Sequence, residues 1–84
     1  MEIALYERKN GFAIELTATE EFFETIPKKV NSVIERRDKM KISKFRKGYC
    51  YTTFPVYKDN EADKQDMIEL LQGCREYVIE HQAK

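Results

Sequence analysis

Eighty-four residues leave room for one small domain spanning 1–84, and fifteen basic side chains balance fifteen acidic ones. A hydrophobic share of 42% that includes five tyrosines and five phenylalanines is enough for a packed core, so the composition argues against disorder, and zero net charge removes any global pull toward nucleic acid or a lipid surface. No apolar run approaches the roughly 18 residues of a spanning helix, and Met1 leads into alternating residues instead of a signal peptide, so the expectation is a cytoplasmic chain with no membrane partner.

The first element is a hairpin. Met1, Ile3 and Leu5 alternate along one strand, and Phe12, Ile14 and Leu16 along the next, with Asn10-Gly11 between them as the pair that tolerates the left-handed backbone of a tight turn. Thr17 and Thr19 then supply hydroxyl caps ahead of Glu20 and Glu21, whose carboxylates suit the exposed N–H groups of a helix start. Phe22, Phe23, Ile26, Val30, Val33 and Ile34 trace a helical stripe toward Arg37. Pro27 interrupts it, which predicts either a kink or a short turn before a main helix beginning near Thr25.

A second cycle repeats the plan. Met40, Ile42 and Phe45 fall in a basic strand, Lys47-Gly48 turns the chain, and Tyr49 to Tyr57 has the aromatic and threonine content of a strand, with Pro55 marking its end or an edge. Asp59, Asn60 and Asp63 offer caps for a last helix with apolar positions at Met67, Ile68, Leu71, Cys74, Tyr77 and Val78; Gly73 weakens it by roughly 1 kcal/mol relative to alanine. The order ββαββα predicts an α+β domain, a four-stranded antiparallel sheet with both helices on one face. If the second and fourth strands are neighbours, the sheet order is that of a ferredoxin-like fold whose last strand has moved to the N-terminus.

Catalytic equipment is sparse. Three glycines form no phosphate loop, there is no nucleophile elbow, and the sole histidine, His81, has no companion in a metalloprotease pattern. Cys50 and Cys74 lack the spacing of a zinc site and read as reduced, buried thiols. The expectation is a non-enzymatic protein with no cofactor and no metal.

Charge is segregated along the chain. Between residues 28 and 47 nine basic residues face two acidic ones, while residues 12–27 hold four glutamates and no basic residue. The basic band runs into aromatics. The octet Lys47-Gly48-Tyr49-Cys50-Tyr51-Thr52-Thr53-Phe54 is similar to the RNP1 signature of RRM domains in its basic start, its glycine and its aromatic positions, and departs from it at Cys50 and Thr52. The similarity covers eight of 84 residues. It implies that Lys47, Tyr49 and Tyr51 face outward and that single-stranded RNA or DNA would stack on the two rings.

Two functions follow as expectations. The first is a binding module that blocks or scaffolds a protein partner, as a small phage-type inhibitor or accessory regulator does, through Lys41, Lys44, Arg46, Lys47, Tyr49 and Tyr51. The alternative is single-stranded nucleic-acid binding by the same surface, against which Glu15 on the neighbouring strand would repel phosphate. An acidic face at Asp59, Glu61, Asp63, Asp66 and Glu69 is a secondary surface suited to a basic protein groove. An exposed outer strand also makes a homodimer an open alternative.

Overall fold

The structure, a computed structural model, describes residues 1–37 and 41–82. Its elements are β1 (Glu2–Arg8), β2 (Gly11–Thr19), α1 (Glu20–Glu24), α2 (Lys28–Arg36), β3 (Ser43–Arg46), β4 (Tyr49–Tyr57) and α3 (Glu61–Gln82). The strands form one antiparallel sheet in the order β1-β2-β4-β3, so β2 and β4 are neighbours and the order matches the permuted ferredoxin-like arrangement. The helices cover one sheet face.

The first hairpin turns one residue earlier than its composition suggests. Lys9 and Asn10 occupy the turn, Arg8 pairs with Gly11, and Gly11 belongs to β2. Glycine is needed there for proximity as well as for its φ of +153°, because a Cβ would lie 2.0 Å from the Val56 carbonyl oxygen. The adjacent Asn10 carbonyl accepts a 2.8 Å bond from the Lys58 N–H, which fastens the turn to the end of β4.

Thr19 caps α1, its hydroxyl accepting from the Phe22 N–H at 3.2 Å. Pro27 produces the short turn: α1 stops after one turn, and the main helix starts at Lys28, three residues after the expected Thr25, with the Pro27 carbonyl accepting from the Asn31 N–H. Proline suits that position because the first helical turn has no use for its missing donor.

Pro55 lies inside β4, a central strand, opposite Ala13 of β2. It is tolerated because β3 is short. The last β3 residue to pair is Ser43, opposite Tyr51, so among the described residues no strand pairs with Pro55 on that side. Met40 and the start of the expected third strand lie outside the described residues, and Ile42 precedes the strand itself.

Ile14, Leu16 and Ala18 of β2, Phe54 and Val56 of β4, Phe22 of α1, Val30 and Val33 of α2, and Leu70 and Cys74 of α3 form the core. The inward face of α3 differs from the expected one. Leu70, at 0% exposure, is its most buried side chain, whereas Ile68, Leu71 and Val78 are exposed. The helix is apolar on two sides, and only the side facing the sheet and α2 is covered. At Gly73 a Cβ would sit 2.7 Å from Val30 Cγ2, so the glycine lets α2 and α3 cross closely. Among the described residues, no helix is long and apolar enough to cross a membrane.

Candidate functional site

The alternation of β4 decides what the sheet shows to either side. Cys50, Thr52, Phe54 and Val56 point under the helices and are buried, which places Tyr49, Tyr51, Thr53, Pro55 and Tyr57 on the opposite, uncovered face. Both Tyr49 and Tyr51 are half-buried by their neighbours on that face.

A bulge in the second hairpin adds to them. Arg46 pairs with Tyr49 but Lys44 pairs with Cys50, so Phe45 and Arg46 together oppose one residue. Both therefore reach the outer face. The Arg46 guanidinium lies 4.7 Å from the Tyr49 ring centroid and 5.5 Å from that of Phe45, and Phe45 meets Tyr51 edge-on at 6.1 Å. Phe45 remains 58% exposed at the centre of this group. Its role was hidden in the sequence because a bulge shifts side-chain parity, and nothing in Lys44-Phe45-Arg46 announces one.

The basic residues do not share one surface. Lys44 lies opposite Cys50 and so falls on the helix side of the sheet, Lys47 sits in the turn, and Lys41 precedes β3; all three are exposed. Arg46 alone of the four basic residues belongs to the tyrosine face. Glu15 of β2 lies between the rings, lining a shallow hollow with Phe45 and Tyr51 on one side and taking a 3.5 Å hydrogen bond from the Tyr6 hydroxyl on the other.

Three other members of the basic band, Lys29, Arg36 and Arg37, are paired at long range. Lys29 meets Glu76 at 2.6 Å, Arg36 meets Asp66 at 2.7 Å and also Glu69, and Arg37 joins Asp63 and Asp66. These bonds divide the acidic face. Asp63, Asp66 and Glu69 hold arginines of α2 and its C-cap, whereas Asp59 and Glu61 remain exposed, with Glu61 beside Lys64 at 3.1 Å.

Asp63 is the most constrained of them, at 6% exposure. Burial alone would push its carboxyl up, but the Tyr57 N–H and the Arg37 guanidinium outweigh that and hold it below the ordinary carboxylate range. Arg37 also donates to the Pro55 carbonyl at 3.4 Å and lies 4.6 Å from the Phe54 ring centroid. The pair thus occupies the side of β4 that β3 leaves free. Arg37 takes the Pro55 carbonyl and Asp63 the Tyr57 N–H, where a longer neighbouring strand would have run.

His81 stacks on Tyr77 at 3.9 Å, and its Nδ1–H donates to the Tyr77 carbonyl. It borders an open hollow with Glu21, Glu76 and Glu80, whereas Cys74 lines a different groove between α3 and β1. Burial pushes the Cys74 thiol up to about 11, which keeps it a thiol at neutral pH. Among the described residues, no group of three histidine, cysteine or acidic side chains is placed to hold a metal.

No known protein family, curated protein or solved structure matches the chain.

Proposed function

We propose that this protein is a small binding module that occupies the surface of a protein partner, blocking or scaffolding it, with the uncovered sheet face and the β3–β4 hairpin as its contact. The observation that carries this reading is the cluster of Phe45, Arg46, Tyr49 and Tyr51, three aromatic rings and a guanidinium gathered on the sheet face opposite the helices. Aromatic residues and arginine dominate the energy of protein interfaces, since the rings bury large area with little loss of side-chain freedom and the guanidinium adds several directed hydrogen bonds. Lys41 and Lys47 would act at the rim, where charge sets orientation and association rate more than affinity, whereas Lys44, on the helix side of the sheet, falls outside this contact.

Glu15 favours a protein partner over nucleic acid. A carboxylate lining the hollow of Phe45 and Tyr51 would repel a phosphate backbone stacked along those rings, while a lysine or arginine of a protein would pair with it. The exposed Asp59 and Glu61 would add a second point of attraction for a basic surface.

The test is affinity capture from the source cell, followed by titration of the purified partner against variants. Tyr51→Ala and Arg46→Glu should each weaken binding at least tenfold, a hot-spot loss of about 1.4 kcal/mol or more. Leu5→Lys, on the far edge of the sheet, should bind as wild type. Indifference to the first two changes removes the hairpin from the interface. Tight binding of a short single-stranded oligonucleotide at about 50 mM salt, steeply lost by about 200 mM and abolished in Tyr49→Ala/Tyr51→Ala, would replace the protein reading with the nucleic-acid one.

A further inference from the structure

The opposite edge of the sheet carries a surface that the binding face does not use. Ile3 and Leu5 pair with Leu16 and Ile14 and therefore point to the helix side, yet they are 41% and 65% exposed because no helix extends over β1. The outer stripe of α3, Ile68, Leu71, Val78 and Ile79, is likewise uncovered. Met1 and Ile3 on one wall and Leu71, Val78 and Ile79 on the other, with Arg75 among them, line one groove of about 580 Å³, and Leu5 and Ile68 lie outside its lining. The six side chains of Ile3, Leu5 and the α3 stripe leave on the order of 500 Å² of apolar surface in water, as large as the biggest patch of an ordinary monomer and over half of the roughly 800 Å² per partner that a stable complex buries.

The backbone of β1 also has no strand partner on one side, where the Glu7 carbonyl accepts a 3.0 Å bond from the Arg8 guanidinium. Arg8 and Gly11 flank a two-residue turn and so form a hydrogen-bonded pair, and such pairs alternate along an antiparallel ladder. Glu2, Ala4, Tyr6 and Arg8 thus direct their backbone groups to β2, while Ile3, Leu5 and Glu7 present theirs to the free edge.

We propose that a second copy of this chain covers this region, β1 pairing antiparallel with β1 of the partner copy about a two-fold axis at Leu5. Charge order within the strand selects that register. It sets Glu2 directly opposite the partner copy's Arg8, twice by symmetry and on the same sheet face; as Arg8 turns to that carboxylate it releases the Glu7 carbonyl it holds in the single chain, and the free-edge groups of Ile3, Leu5 and Glu7 then join in about six backbone hydrogen bonds. On the helix side the two Leu5 side chains meet, and the outer stripes of the two α3 helices close over them. Self-pairing meets no general repulsion, since the chain has no net charge. The result is a continuous eight-stranded sheet with the two β3–β4 hairpins at its far ends, an assembly that stands whether or not those hairpins bind a protein.

Sedimentation velocity from about 1 to 100 μM tests it. The wild-type chain of 10.0 kDa should move as a species of twice that mass at the upper concentrations. Leu5→Lys and Val78→Glu, both at positions exposed in the single chain, should keep their far-ultraviolet circular dichroism and raise the dimer dissociation constant at least tenfold. Arg8→Glu should weaken the dimer similarly, and Glu2→Lys/Arg8→Glu should restore it. A wild-type chain that remains at monomer mass to 100 μM overturns the proposal and leaves the groove to a different protein or an apolar ligand. A dimer indifferent to Leu5→Lys and Val78→Glu overturns the assigned face, and failure of the charge exchange to restore association overturns the register.

Discussion

Arg36 and Arg37 are adjacent and both bond Asp66, yet replacing them should have very different costs. The Arg36 side chain is 46% exposed and its bonds lie in solvent, where screening leaves such pairs little effect on stability. The Arg37 side chain is only 16% exposed and that of Asp63 is buried, so losing the guanidinium leaves a buried carboxylate with the Tyr57 N–H alone, a loss of about 3 kcal/mol. Arg37→Met is the appropriate change because it keeps most of the aliphatic stem while removing the guanidinium that bonds Asp63 and lies over the Phe54 ring. A domain of this length has a total stability of about 4 to 12 kcal/mol. With a urea dependence near 1 kcal/mol per molar, Arg37→Met should lower the unfolding midpoint by about 3 M and Arg36→Met by less than about 1 M. Asp63→Asn, which keeps an acceptor for the Tyr57 N–H, should be partly redundant with Arg37→Met, so the double variant should show a coupling of at least about 1 kcal/mol. Equal midpoint shifts for the two arginine variants, or strict additivity in the double, would refute the idea that this pair closes the free side of β4.

Three further outcomes follow from the same packing. Because the folded state holds Asp63 below its unfolded value near 3.9, the unfolded chain binds more protons between the two values; the contribution of Asp63 is complete above about pH 4 and fades as pH falls through the folded value, so urea midpoints from pH 5 to 2 should fall less steeply for Asp63→Asn than for wild type, and equal slopes would count against it. Gly73→Ala should lower the melting temperature, because the clash with Val30 outweighs the roughly 1 kcal/mol of helix propensity that alanine adds, and a higher melting temperature would show that the helices cross less tightly. Thr52 is 1% exposed and its hydroxyl has no hydrogen-bond partner among the described residues; Thr52→Val should stabilise by about 1 kcal/mol, a rise of about 4 to 8 °C, and no rise would mean that the hydroxyl is satisfied.

Much of the architecture was legible from local pattern. Period-two alternation beyond Gly48 separated Tyr49 and Tyr51 from Cys50 and Phe54, and Thr19 and Pro27 marked a helix start and an interruption without fixing where the second piece begins, because both signals depend only on residues a few positions apart. The candidate site was legible in its tyrosines and in Arg46. It was not legible in Phe45, whose direction depends on a bulge, or in Lys44, which the same bulge leaves on the other face.

Period and propensity state which way a side chain points along its own element; they carry no information about what lies on that side. Thus Ile3 and Leu5 have the same alternation as Ile14 and Leu16, and only the position of β1 at the sheet edge, beyond the reach of α3, leaves the first pair in water and the second in the core. The basic band shows the same division. Its composition was plain in the chain, but Arg37 and Asp63 are 26 residues apart, and whether a charge stays free or is consumed is decided by which elements the fold brings within a few ångströms.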